Sequence, residues 1–244
     1  MQSIKHVATL ALIATLIVGC SPFISNLTDR ETVQGSNMLQ IEERAVRDFS
    51  ELSLAGIGDV IITQGENESL SIETDSNILP NILTEVVNGK LIISIKAGFN
   101  PQPTKLVYRL SVRSLTLIEM GGAGTISTEQ FRADQLTLRM LGAGTFALNG
   151  LALEMLRVSM TGAGTVNLAG AATAQTIEIS GAGTVNCEAL EGKTGTVIIS
   201  GQGNVSINVS DSLNVTISGI GDVTYSGSPS LTRSIRGMGS VNQR

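Results

Sequence analysis

"ISGAGTVN" (Ile179–Asn186) is one of several near copies of a single phrase. "MTGAGTVN" (Met160–Asn167) precedes it, and "ISGQGNVS" (Ile199–Ser206) and "ISGIGDVT" (Ile217–Thr224) follow. Each sets a Gly-x-Gly between short runs in which apolar and polar residues alternate. Counted at its first glycine, the motif stands at Gly56, Gly122, Gly142, Gly162, Gly181, Gly201, Gly219 and Gly237, and from Gly122 onward the spacings are 20, 20, 19, 20, 18 and 18 residues. A nearly constant period of this length is the signature of a repeat architecture.

Alignment on the first glycine exposes apolar columns on both sides. Four residues after it come Val60, Ile126, Phe146, Val166, Val185, Val205, Val223 and Val241; two further on come Ile62, Thr128, Leu148, Leu168, Cys187, Ile207, Tyr225 and Gln243. Two residues before it come Leu54, Met120, Met140, Met160, Ile179, Ile199, Ile217 and Ile235, and two earlier again Leu52, Ile118, Leu138, Val158, Ile177, Val197, Val215 and Arg233. Period-two alternation on either side of a glycine pair describes two short strands meeting at a corner. One such unit cannot bury its apolar side chains alone, but stacking copies in register at roughly 4.8 Å turns every column into an inward ladder. The sequence therefore predicts an all-β protein: a single-stranded, right-handed parallel β-helix, or β-solenoid, with coils of about 18–20 residues. Seven coils make a rod on the order of 30 Å.

The corner glycines Gly122, Gly124, Gly142, Gly144, Gly162, Gly164, Gly181, Gly183, Gly201, Gly203, Gly219 and Gly221 are thus expected to be structural, serving turn angles and the close approach of stacked backbones. The residues that follow the second glycine, Asp59, Thr125, Thr145, Thr165, Thr184, Asn204, Asp222 and Ser240, are expected to hydrogen-bond backbone at the turn. Only 3% of the residues are aromatic and none is Trp, so aliphatic layers must fill the interior.

Upstream of Leu117 the pattern loosens. Asn88-Gly89 between "LTEVV" and "KLIISI" signals a hairpin, Pro101 and Pro103 mark a loop, and residues near Val107–Val112 alternate again. This region reads as early coils with an irregular hairpin that closes the amino end. Arg233 and Gln243 break their apolar columns, as a terminal coil should, yet they leave an open β edge.

Residues 1–19 read as an export signal: Lys5, the apolar "VATLALIATLIV" and Gly19 before Cys20. Ile17-Val18-Gly19-Cys20 resembles a bacterial lipobox, which implies lipid on Cys20 and a membrane anchor. Residues 20–44, polar and without period, are expected to form a tether, with the β-helical domain over 45–244 and regular coils from about 115. Ser21 in place of Asp after the anchor points to the outer membrane.

Loss of the leader takes the net charge from −5 to −6 and removes His6, the sole histidine. That excludes imidazole-based triads and zinc sites from the mature chain, and the acidic balance speaks against nucleic acid. Cys187 has no thiol partner once Cys20 carries lipid, and its column makes it a small core hydrophobe. The glycines lie between strands rather than between strand and helix, so no dinucleotide cofactor is expected. "GIGD" at Gly56–Asp59 and Gly219–Asp222 approaches a calcium repeat, but aspartate is too infrequent among the copies for a metal site. Arg139, Arg157 and Glu178 fall on outward positions of adjacent coils and are expected near one another, as a solvated ion cluster without the paired carboxylates a glycosidase needs.

"FSELSLAGIGDVIITQGENESLSIE" (Phe49–Glu73), "VVNGKLIISIK" (Val86–Lys96) and the run of "SGAGTVN" units together resemble the putative auto-transporter adhesin head GIN domain family over about Ala45–Arg244. The resemblance implies a parallel β-helix at a bacterial cell surface. The function expected is that of a non-enzymatic envelope lipoprotein binding a surface glycan or protein. The competing expectations are a polysaccharide-active β-helix enzyme, lyase or hydrolase, and a scaffold that self-associates through its open end.

Overall fold

A computed structural model describes residues 31–244, which form one compact unit with its own core. The leader, Cys20 and the first part of the expected tether lie outside the described residues. The protein is a β-solenoid of about six turns with parallel stacking.

The amino-terminal part is built from nine strands and a single 3-10 turn, Leu79–Asn81. Strands β1 (Glu31–Gln34) and β2 (Leu39–Arg44) lie where a tether was expected. That expectation fails for residues 31–44 because β2 is exposed on both faces, so burial imposes no alternation on its sequence. Next come β3 (Glu51–Leu54), β4 (Asp59–Gln64), β5 (Ser69–Asp75), β6 (Ile82–Val87) and β7 (Lys90–Ile95). Strands β6 and β7 form the expected hairpin with Val87 opposite Lys90, and the turn residues Asn88 and Gly89 have φ of 51° and 77°, as a two-residue primed turn requires. The Pro101 stretch is not a loop but β8 (Phe99–Gln102), paired in parallel with β1. Then β9 (Leu106–Val112) runs parallel to β4, and β7 runs parallel to β3. Residues 90–112 therefore form a coil beneath residues 51–64, although they come later in the chain.

The chain then returns above. Strands β10 (Leu117–Met120) and β11 (Ala123–Thr128) stack on β3 and β4 in the register set by the glycine columns. From there the strands lengthen until each spans from one glycine corner to the next: β12 (Phe131–Met140), β13 (Ala143–Met160), β14 (Ala163–Ile179), β15 (Ala182–Ile199) and β16 (Gln202–Ile217). Shorter strands β17 (Val223–Ser226), β18 (Ser230–Ile235) and β19 (Val241–Gln243) complete the last coils. Phe146 faces Val166, Val166 faces Val185 and Val185 faces Val205, all buried, so the ladder predicted from the columns exists.

Between those two flat sides lies a third, less regular side, where Phe131 stacks on Leu151 and Leu151 on Gly170. Its register slips between Leu148 and Leu151, Asn167 and Ala169, and Cys187 and Glu191. At the last slip a polar residue enters the core. Gln175 follows Leu136 and Leu156 in its column, and its Nε2 donates to the carbonyls of Leu190 (3.0 Å) and Asn208 (3.5 Å). A buried carbonyl freed by a bulge costs about 1–3 kcal/mol if left bare, which accounts for an amide in a leucine column.

The amino-terminal cap is tied down by carboxylates. Asp75 is fully buried and accepts from the Asn37 N–H (2.7 Å), the Thr104 N–H (2.7 Å) and the Thr104 hydroxyl (2.9 Å). Burial alone would raise its pKa, but the bonds from Thr104 and Asn37 outweigh that and hold it below the usual range. Glu68 follows the same logic: burial opposes, while Arg113 and the Asp48 N–H lower it. Lowered folded values mean that this stabilisation is complete above the unfolded pKa, about 4, and is lost as pH falls through the folded values. Hydrogen exchange should therefore show the amides of Asn37, Thr104 and Asp48 opening as pH falls below the ordinary carboxylate range, ahead of those in β13–β15. Equal protection of both regions in acid would contradict this.

Candidate binding face

Two outer faces were candidates, one flanking each side of the glycine corner. On the face preceding it, Arg157 Nη2 donates to both carboxylate oxygens of Glu178 at 2.8 Å. Arg139 does not join them. It lies 3.9 Å from Glu119, its register partner one coil below, and Glu119 also accepts from Ser53 Oγ at 3.0 Å. The expected cluster is thus two separate pairs, one in register (Arg139–Glu119) and one diagonal across adjacent strands (Arg157–Glu178), because Ser159 intervenes between Arg139 and Glu178. Both guanidinium groups are about half exposed, so these pairs contribute little to stability, on the order of 0–1 kcal/mol each.

The face following the corner is different. Its first outward column runs Thr125, Thr145, Thr165, Thr184 and Asn204 in unbroken register. Beside it run Ser127, Ala147, Asn167, Asn186 and Ser206. No residue in either run is ionisable. Strand spacing repeats these groups every ~4.8 Å on a flat surface.

The expectation that the first column bonds turn backbone holds only for its Asp and Asn members. Asp59 accepts from the Thr125 N–H (3.0 Å), Asn204 from the Asp222 N–H (3.2 Å) and Asp222 from the Ser240 N–H (2.8 Å). The hydroxyls of Thr125, Thr145, Thr165 and Thr184 hold no hydrogen-bond partner among the described residues, and neither does the Asn167 amide. They are donors and acceptors presented to whatever lies above. Since Asp59 and Asp222 are engaged and sit on well-separated coils, the two "GIGD" corners do not converge. No cluster of three His, Cys, Asp or Glu able to hold a metal occurs among the described residues.

The corner glycines make the close approach expected of them. A Cβ on Gly122, Gly142, Gly162, Gly181, Gly201 or Gly219 would lie 1.6–2.1 Å from a carbonyl oxygen of the glycine in the coil below. The second glycines meet similar crowding: at Gly124, Gly144, Gly164, Gly183, Gly203 and Gly221 the distance is 1.8–2.6 Å. Met120, Met140 and Met160 tuck their sulfurs under Gly144, Gly164 and Gly183. Tyr108, buried, donates its hydroxyl to the Ile57 carbonyl at 3.2 Å, bracing the first corner from below. Cys187 is buried in its column, and burial pushes its thiol up to about 12, so thiolate chemistry is closed to it. Among the described residues no helix is long and apolar enough to cross a membrane.

Residues 48–229 match the family described as "Putative auto-transporter adhesin, head GIN domain". Solved structures with the same fold include a putative adhesin from Bacteroides fragilis, 22% identical, covering 87% of this chain and 100% of that one with a TM-score of 0.81. A putative lipid binding protein from Parabacteroides distasonis is 19% identical, covering 88% and 100% with a TM-score of 0.73. A putative adhesin from Parabacteroides merdae is 20% identical, covering 87% and 99% with a TM-score of 0.61. No curated protein matches the chain.

Proposed function

Given that the chain belongs to the "Putative auto-transporter adhesin, head GIN domain" family, we propose that it is a non-enzymatic adhesive module of the bacterial cell envelope. It binds a surface glycan or protein through the uncharged face of Thr125, Thr145, Thr165, Thr184, Asn167 and Asn186, and it is anchored through lipid on Cys20, most simply in the outer membrane.

One observation carries the reading: a flat array in which the four threonine hydroxyls and the Asn167 amide hold no partner among the described residues, while Asn186 gives only its Oδ1, to the Glu188 N–H at 3.2 Å. Ordering such groups against a ligand costs little, because threonine and asparagine on a strand have few rotamers to lose. Each contact is weak, and the periodic stacking supplies many of them at one spacing, which suits an extended partner better than a small molecule. The lipobox-like Ile17–Cys20 and Ser21 support the anchor. The name of the Parabacteroides distasonis neighbour raises lipid as a ligand, but an array of polar groups offers acyl chains no apolar groove. An enzyme reading gains nothing from the Arg157–Glu178 pair, in which each charge already satisfies the other.

The test is binding of the 31–244 unit to arrayed envelope polysaccharides and matrix proteins. Thr165→Arg with Asn186→Arg should weaken capture at least tenfold while leaving the melting temperature nearly unchanged, since outward substitutions usually cost less than about 0.5 kcal/mol. In cells fed a clickable fatty acid, Cys20→Ser should lose both the label and membrane retention. Binding that ignores the two arginines, or its absence on every surface offered, rejects the assignment of this face.

A further inference from the structure

We propose that the ends of the solenoid, as the described residues form them, are guarded against pairing with other β edges by polar residues at core-side register positions, with Arg233 the decisive guard on β18. A stacked coil ends in strands whose outer N–H and C=O groups are unpaired, and such an edge templates further strands. Here β18 and β19 have no strand partner on that side among the described residues. On the side preceding the glycine corner the register is unbroken from β12 to β18, so a strand of a second copy laid on β18 would continue the ladder. Because such a contact does not close on itself, the product would be a growing chain of copies.

The apolar material for this contact is present. Ile235 continues the column of Ile217, Leu231 that of Leu213, and Ile220, Ile235 and Met238 are exposed. What opposes it is Arg233. Its register partner is the buried Val215, so its Cα lies on the inward face of β18, in a column otherwise aliphatic from Leu52 to Val215. It has no ion-pair partner among the described residues. Any strand laid on β18 would have to bury this guanidinium without a counter-charge, a cost of several kcal/mol that exceeds what one short strand pairing returns. Gln243 does the same on β19: it sits opposite Tyr225, and its Nε2 turns aside to the Gly227 carbonyl at 2.7 Å.

The amino end uses the same device with different residues. Among the described residues β2 is an edge, antiparallel to β5, and Gln40, Glu42 and Arg44 stand opposite the buried Thr74, Ile72 and Leu70; the other edge there, β6, sets Thr84 and Val86 opposite the buried Ile93 and Leu91. Directly opposed residues share a face, so these three polar side chains occupy the core-side positions of the strand. Glu42 and Arg44 pair at 2.7 Å. The sequences of β2 and β18 are unrelated, yet each places charge in a column that stacking on that strand would have to fill, whereas β6 does not. An adhesive domain so built binds other surfaces without consuming itself.

Sedimentation of the 31–244 unit from micromolar to near-millimolar concentration tests this. The natural chain should remain a monomer throughout. Arg233→Ile with Gln243→Leu should convert the monomer boundary into large assemblies as concentration rises, while Arg233→Lys should stay monomeric. Ser234→Ile adds the same apolar bulk on the outward face of β18 and should not assemble. A second arm, Glu42→Val with Arg44→Val, asks the question at the other end without touching β18. Circular dichroism at low concentration confirms that each variant is folded. The proposal is overturned if the natural chain already polymerises, if both guard-free variants stay monomeric, or if Ser234→Ile assembles as readily as Arg233→Ile.

Discussion

Replacing Gly162 with alanine is expected to abolish the folded solenoid rather than merely weaken it. The added methyl would lie 2.0 Å from the Gly142 carbonyl oxygen and 2.6 Å from that of Leu141, where ordinary contact is above about 3.4 Å. Neither atom can yield, because the Gly142 carbonyl accepts the Ala163 N–H at 3.0 Å and the Gly162 N–H is itself held by Met140 at 2.9 Å. Relief requires two coils to part, which breaks the ladder on both flat sides at once. The expected cost is above roughly 4 kcal/mol, outside the usual range for one substitution and comparable to the whole stability of a domain. Gly89→Ala is the control. Gly89, unlike Gly162, needs a left-handed angle, φ 77°, but nothing lies within 4 Å of the new methyl, so only the backbone penalty of about 1–2 kcal/mol applies. Thermal scans should show a cooperative melt for Gly89→Ala and none for Gly162→Ala; similar midpoints would show that the corners are not in steric contact.

Phe146→Ala should come second. Phe146 is fully buried between Ile126 and Val166, a ring stacked between two aliphatic neighbours. Removing it leaves a ring-sized void that parallel strands in fixed register cannot collapse to fill, at a cost of about 3–5 kcal/mol. For a chain of this size that lowers the melting temperature by roughly 2–4 °C per kcal/mol. Since a coil touches only its neighbours, the loss should be local. Hydrogen exchange should quicken in β11, β13 and β14 while β16 remains protected, and Thr145→Val next door should do almost nothing. A uniform loss of protection along the rod would argue for global rather than coil-by-coil cooperativity.

The repetitive part was legible because each position has one neighbour type. Val166 sits on Phe146 and under Val185, so aligning the sequence on itself is equivalent to reading the contacts. The hairpin at Asn88-Gly89 was legible for another reason, since two adjacent residues specify the turn. What was not legible required knowledge of non-local partners. Strand β2 pairs with β5 across a long loop, and its sequence "LQIEER" carries no apolar period because neither face is covered. The third side is blurred by its register slips, and Gln175 looks misplaced until the carbonyls of Leu190 and Asn208 are seen. On the outer faces, the sequence identified which residues point outward but not which would pair. Arg139 pairs with Glu119, its register partner on the adjacent coil, because Glu178 stands two coils away behind Ser159. The freedom of the threonine hydroxyls was likewise invisible until their neighbours' bonds were counted.

The chain crosses itself once, at its base: residues 51–64 are laid down first, receive a lower neighbour from residues 90–112 and an upper one from 117–128. Above that foundation every coil rests on one made about twenty residues earlier. A polypeptide delivered amino end first, whether by ribosome or export channel, therefore meets one slow search, the closing of the base, where loop entropy must be spent before contacts reward it. After that each arriving segment finds its docking surface already built, and acquisition of structure can keep step with delivery.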